Sequence, residues 1–235
     1  IMNIRKREEK GNSLIDFPNN YVVIDIETTG FDPNYDEIIE ISAIKVEKND
    51  IIDSFTTLIN PKDKIDSYIE QLTGISNDML SGAPILEDIL KDFDSFIGNS
   101  IIVGHNVNFD INFLYDNYMQ ILGNPLKNNF VDTLTLARKL LPGLKHHRLD
   151  DLTEYFNRTN RDYHRALNDC ELTNQIFNDL KEMLKKHEDI EEFKRSFQKH
   201  YKNQDKLKAK DIIADVNEFD VDNLLYQKVC VFTGA

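Results

Sequence analysis

The segment Tyr21-Val22-Val23-Ile24-Asp25-Ile26-Glu27 constrains the fold more than any other part of the chain. Its β-branched apolar residues read as a short buried strand. Side chains alternate faces along a strand, so Asp25 and Glu27 point the same way, two residues apart. Taken alone, such a pair is a solvated strand end, because charged side chains are mostly exposed. Here the pair closes a run that belongs in the middle of a sheet. Thr28-Thr29-Gly30 follows at once, and Gly30 permits a tight turn and close approach of a ligand.

Further acidic patterns follow in order. Ile101-Ile102-Val103 reads as a second buried strand closed by Gly104. After it, Phe109, Phe113, Leu114 and Tyr118 recur at helical spacing, which puts Asp110 near a first turn. A helix-start carboxylate is favoured by the macrodipole alone, by about 1 kcal/mol or less. That leaves His105-Asn106, directly upstream, without a reason. His164 and Asp169 are the last pair. Five steps of about 100° set them roughly 140° apart on a regular helix. They share a pocket only if His164 lies on a loop or first turn and Asp169 on the helix through Leu172, Ile176, Phe177 and Leu180. Four carboxylates and one histidine make up the ligands of two divalent cations and a general base.

As an ordered set, Asp25-x-Glu27, Asp110 within Gly104-His105-Asn106-x-x-Phe109-Asp110, and His164-x-x-x-x-Asp169 resemble the three motifs of the DEDDh (DnaQ-like) family of 3′→5′ exonucleases. That family includes proofreading epsilon subunits and PolC-type exonuclease regions. Leu72-Thr73-Gly74-Ile75 resembles the family's loop over the terminal nucleotide, and Val131-Asp132-Thr133-Leu134 its segment between the second and third motifs. The similarity runs from about Asn20 to Lys186, with no departure at the five motif positions.

The resemblance implies two Mg²⁺ or Mn²⁺ ions held by Asp25, Glu27, Asp110 and Asp169, with His164 taking the proton of the attacking water. It implies a substrate grip from Thr28, Thr29, Leu72, Thr73, His105, Asn106 and Phe109, and release of nucleoside 5′-monophosphates from DNA 3′ ends in proofreading or repair. An RNA-trimming enzyme of the same family is the alternative, since the motifs do not read the sugar. The implied partners are a single-stranded or frayed 3′ end and a polymerase or repair protein at the C-terminal region. The ligand set is physically coherent. Carboxylates crowded in a poorly solvated site repel one another unless cations offset them, and hard cations prefer oxygen.

The expected architecture is α/β and ribonuclease-H-like, a five-stranded mixed sheet flanked by helices with a helical or irregular C-terminal extension. Strands are expected near 21–27, 38–47, 51–59, 100–104 and 129–131, and helices near 66–72, 85–97, 109–121, 133–141, 148–156 and 166–186. Glu47-Lys48-Asn49-Asp50 between two apolar runs reads as a hairpin turn. The expected domains are an N-terminal arm at 1–18, the exonuclease domain at 19–187, a charged linker at 188–225 and, at 226–235, the first strand of a truncated BRCT domain.

That last expectation rests on Lys228-Val229-Cys230-Val231-Phe232-Thr233-Gly234, which resembles a BRCT opening strand; an edge strand of the main body is the alternative. A BRCT-recruited interaction protein with a secondary nuclease role is therefore a competing class. From Phe193 to Lys210, seven cationic side chains face Asp205 alone, a net +6. This stretch is either a solvated linker or a strap for nucleic acid. Lys145-His146-His147-Arg148 is likewise either a phosphate contact or a solvated helix start.

The whole chain carries a net charge of −13, so broad backbone electrostatics cannot dominate its affinity for nucleic acid. A small footprint on a few terminal nucleotides fits better. Two cysteines far apart, Cys170 and Cys230, suggest no disulfide framework. With a charged opening unlike a secretory signal, they point to a cytoplasmic location. No apolar run approaches the ~20 residues of a membrane span.

Overall fold

The computed structural model describes residues 7–158, 165–187 and 193–196. The chain divides into two compact units, 1–194 and 195–235, and only the first is largely described. Its centre is a six-stranded mixed sheet in the order β1-β6-β5-β2-β3-β4. The strands are β1 (Ser13–Leu14), β2 (Asn20–Thr28), β3 (Ile38–Glu47), β4 (Asp50–Leu58), β5 (Ile102–Gly104) and β6 (Phe130–Asp132). Strands β2, β3 and β4 are antiparallel neighbours, whereas β5, β6 and β1 run parallel to β2. The five expected strands and the ribonuclease-H-like arrangement are all present.

The hairpin between β3 and β4 is a two-residue turn with φ of 52° at Lys48 and 74° at Asn49. Two positive φ values are what the right-handed twist of the flanking strands selects.

The sixth strand is the difference from expectation. Ser13–Leu14 is too short to show any periodicity. It exists because the chain before it is held from outside. Asn129 Oδ1 accepts the Asn12 N–H at 2.9 Å, and Asn12 O accepts the Phe130 N–H at 3.0 Å. Arg7 bonds both carboxylate oxygens of Asp116, at 3.0 and 2.6 Å. Those are tertiary contacts across more than a hundred residues.

Helices cover both faces of the sheet. They are α1 (Ser67–Thr73), α2 (Asn77–Ser81), α3 (Leu86–Ile97), α4 (Asn108–Asn117), α5 (Thr133–Leu140), α6 (Leu149–Tyr155) and α7 (Ala166–His187). A π-helical turn at Tyr118–Leu122 continues α4. One core forms where Val22, Ile24 and Ile26 of β2 meet Leu90, Phe93 and Ile97 of α3 and Ile111, Phe113 and Leu114 of α4. The other face of β2 meets α7. Tyr21 donates to Asn174 Oδ1 at 2.7 Å and meets Phe177 edge-on at 5.0 Å. Ala166, Cys170, Thr173, Asn174, Phe177, Lys181 and Leu184 form the buried stripe of α7 at helical spacing. Lys181 anchors the far end, donating to Asn19 and Asn49 at 2.7 and 3.4 Å.

Beyond α7, Phe193 is buried with its ring 6.4 Å from that of Phe17, and Lys194 pairs with Asp16 at 2.8 Å. From residue 197 on, the basic stretch and the segment resembling a BRCT strand with Cys230 lie outside the described residues.

The N-terminal latch yields a test. A Cβ on Gly11 would lie 1.8 Å from the Asn128 carbonyl oxygen, so the backbones touch there. Gly11→Ala should cost about 1–3 kcal/mol in a urea titration, as forced overpacking does. A midpoint equal to wild type would mean that the β1–β6 contact does not form in solution.

Candidate metal centre

The two faces of β2 explain how the acidic residues meet. Asp25 and Glu27 share the face of Tyr21 and Val23, over which α7 lies. Asp169 sits in the first turn of α7, one turn before Thr173 in the buried stripe. A carboxylate oxygen from each of Asp25, Glu27 and Asp169 lies within 4.8 Å of the others. The placement of Asp169 on the helix rather than the loop agrees with the sequence reading. His164 lies outside the described residues.

Asp110 approaches from the other side of the sheet. It is buried in the first turn of α4, where its Oδ1 accepts the Ile26 N–H at 3.1 Å. This bond fastens α4 to the strand between the two acids of β2. The loop leading to it is equally constrained. A Cβ on Gly104 would fall 2.5 Å from Val107 and 3.2 Å from the Ile24 carbonyl. Only glycine permits that approach. Asn106 then turns the chain with φ of 58°.

Asp132 Oδ1 accepts the Asn106 N–H at 2.9 Å and the Leu134 N–H at 3.0 Å, capping α5 and holding the loop together. His105 Nδ1 is 2.9 Å from Thr133 Oγ1, which in turn donates to Gly104 O at 3.2 Å. Burial holds the His105 imidazole below its usual pKa. The Val131–Leu134 segment therefore has a structural task, supporting the turn that aims Asp110.

The other residues singled out from sequence fall into two groups. Thr28 donates to Gly30 O at 2.6 Å, and Thr29 Oγ1 accepts the Glu37 N–H at 3.0 Å, so both hydroxyls shape the turn after β2. Thr73 is buried, donating to Ile69 O at 2.9 Å while accepting the Ile75 N–H at 3.2 Å. Leu72, by contrast, is 41% exposed. Phe109 is half-buried with its ring 4.9 Å from that of Phe113. Asn106 is exposed. In the Lys145–Arg148 stretch, Arg148 stands at the start of α6 and pairs with Asp151 at 3.0 Å, and His147 Nε2 is 2.9 Å from Leu141 O.

Two charged residues of the site escaped the sequence reading. Glu40 is 1% exposed and stands directly across from Glu27 in the β2–β3 register. Arg165 reaches it with Nη2 at 2.9 Å. A lone glutamate inside Ile38-Ile39-Glu40-Ile41 was the available signal, because nothing in an apolar strand pattern accommodates it unpaired.

Electrostatics shows what the cluster lacks. Burial, then the charges of Asp110, Glu27, Asp169 and Glu40, push the Asp25 carboxyl well above its usual range. Burial and the Asp169, Glu40 and Asp110 charges raise Glu27 to about 8. Asp110 is raised to about 8, chiefly by burial and against the bonds it accepts from backbone N–H groups. An all-oxygen donor set with excess negative charge fits a hard divalent cation.

The residue pattern and fold have counterparts. The RNase_T exonuclease model matches residues 22–177. This chain belongs to that exonuclease family. The domain is 42% identical over 166 residues to the DNA polymerase III subunit epsilon of Aquifex aeolicus, covering 71% of this chain and 81% of that protein. It is 39% identical over 189 residues to the PolC-type DNA polymerase III of Clostridium perfringens, covering 80% of this chain but 13% of that polymerase. Among solved structures, exonuclease X in complex with 5′-overhanging duplex DNA superposes with a TM-score of 0.55 at 25% identity, over 68% of this chain and 90% of that one. E. coli exonuclease I in complex with a dT13 oligonucleotide shares the fold with a TM-score of 0.62 at 17% identity, over 72% and 42% of the two chains. Among the described residues, no helix is long and apolar enough to cross a membrane.

The raised carboxyls set a stability trend for the metal-free exonuclease domain. Unfolded, Asp and Glu titrate near 4. Folded, Glu27 and Asp110 are raised to about 8 and Asp25 well above its usual range, so all three hold their stabilising protons below pH 4, and Glu27 and Asp110 lose theirs as pH rises through about 8. In EDTA, Asp25→Asn should melt above wild type, with the gap widening from pH 5 to pH 8; each 1 kcal/mol shifts Tm by roughly 2–4 °C. Saturating Mg²⁺ should raise wild-type Tm more than that of the variant. A lower melting point for Asp25→Asn in EDTA at pH 8 would make Asp25 a structural residue.

Proposed function

We propose that this chain removes nucleotides from DNA 3′ ends, releasing nucleoside 5′-monophosphates, in proofreading or repair alongside a polymerase. The convergence of Asp25, Glu27 and Asp169 within 4.8 Å carries the reading. The identity with an epsilon subunit over 81% of its length favours DNA and a polymerase partner.

Asp25, Glu27 and Asp169 would hold divalent metal, Mg²⁺ or Mn²⁺, with Asp110 acting directly or through water. Two bound cations would supply Lewis acidity and charge for the attacking and leaving oxygens. His164 would accept the proton of the attacking water, which requires the neutral imidazole. Leu72 and Phe109 would pack on the terminal nucleotide, with Asn106, His105 and the Thr28–Thr29 turn shaping the rim and Thr73 holding the Leu72 helix end. Stacking on one base contributes roughly 1–3 kcal/mol. The net charge of −13 suits a grip confined to the strand end.

The deciding assay gives the purified protein 5′-labelled single-stranded DNA, duplex DNA with a 3′ mismatch, and RNA. A Mg²⁺- or Mn²⁺-dependent ladder of shortening labelled DNA, abolished by EDTA, is expected. Immediate release of labelled mononucleotide would reverse the polarity, and preference for RNA would reassign the substrate. His164→Ala should lower turnover by roughly 10²–10⁴ at neutral pH and recover in part as pH rises. Its metal affinity should match wild type; loss of metal binding would make His164 a ligand instead of the base.

A further inference from the structure

The β2–β3 register sets two glutamates, Glu27 and Glu40, directly opposite each other, with their side chains on the face that α7 covers. Like charges so placed destabilise a sheet. Glu40 is also almost fully buried, and an unpaired buried carboxylate is among the costliest features a strand can carry. Its partners come from the chain just before α7. Arg165 donates through Nη2 at 2.9 Å and Nε at 3.3 Å to Oε1, and the Ala166 N–H donates to Oε2 at 3.2 Å. Ala166 is the first residue of α7, so Glu40 accepts one of the four N–H groups that a helix start leaves unpaired. Asp169 lies three residues further, and its N–H bonds to Arg165 O at 3.1 Å. Arg165 is thus bonded from both ends: by its carbonyl to the helix, by its guanidinium to the strand.

We propose that Glu40 and Arg165 are positioning residues, which lock the first turn of α7 onto β3 so that Asp169 meets Asp25 and Glu27 at metal-binding distance. Arg165 also offsets part of the Glu40 charge, which faces Glu27 across the β2–β3 register. The inference rests on the metal-dependent reading above. It requires only that the three acids bind metal together.

Nε and Nη2 of Arg165, the two nitrogens bonded to Glu40, form the edge of the guanidinium that matches a carboxylate bidentately. Lysine offers a point charge in place of this fork. Supporting groups behind a metal ligand typically contribute 10–100-fold to metal affinity or activity.

The test uses the full chain and Glu40→Gln, Arg165→Lys, Arg165→Met and the double variant Glu40→Gln/Arg165→Met. Mn²⁺ affinity is read by calorimetry without DNA, alongside kcat and KM for single-stranded DNA. Arg165→Met and Glu40→Gln should each weaken Mn²⁺ binding and lower kcat by roughly 10–100-fold, with KM for DNA close to wild type. Arg165→Lys should recover part of the loss, and the double variant should be no worse than the poorer single one. If Arg165→Met does not fold, Glu40→Gln and Arg165→Lys carry the same comparison.

A rise in KM for DNA at unchanged kcat and Mn²⁺ affinity would overturn the proposal in favour of a phosphate contact by Arg165. A lower Tm with wild-type Mn²⁺ affinity and turnover would overturn it in favour of a purely structural pair. If wild type binds Mn²⁺ and the variants lose it, yet no protein digests DNA, the positioning role stands and the exonuclease reading falls.

Discussion

Mutual repulsion among carboxylates at the end of one central strand governs the architecture around it. Asp25 and Glu27 share a strand face, Asp169 is delivered to them by a helix crossing that face, and Asp110 reaches round from the opposite layer. No arrangement of apolar side chains profits from such crowding. Burial first, and then the neighbouring charges, raise the carboxyls of Asp25, Glu27 and Asp110. A fold that keeps this arrangement must hold each acid by contacts strong enough to outweigh the repulsion, and must leave the charge for something outside the chain to neutralise.

The supports are of three kinds. For Asp25 and Glu27 the support is the sheet itself, because β2 pairs with β3 on one side and β5 on the other. Asp110 depends on a chain of small constraints: the bare backbone of Gly104, the left-handed turn at Asn106, the bonds of that loop to Asp132, and the Ile26 N–H. For Asp169 the support is the packing of α7, pinned at one end by Glu40 and Arg165 and at the other by Lys181 on Asn19 and Asn49. Buried charges at both helix ends are expensive, and each is matched by named partners.

Polar residues flanking the acids divide by what their atoms already do. Thr28, Thr29, Thr73 and His105 spend hydrogen-bonding capacity on the fold and so shape the turns and the helix end that they belong to. Leu72, Phe109 and Asn106 retain exposed surface and offer apolar and amide contacts.

Much of this was legible in the sequence because the signals are local. Apolar runs gave β2, β3 and β5, the Lys48-Asn49 turn gave the hairpin, and helical spacing put Asp169 on α7 and Asp110 at the start of α4. Two things were not legible, for one reason. The strand at Ser13–Leu14 is two residues long and exists only through bonds to Asn129 and Phe130, and Arg165 shows its purpose only once Glu40 lies opposite Glu27. Periodicity reports which face a residue occupies along its own element. Which distant residue stands across from it is decided by register and packing, and only the tertiary structure sets those.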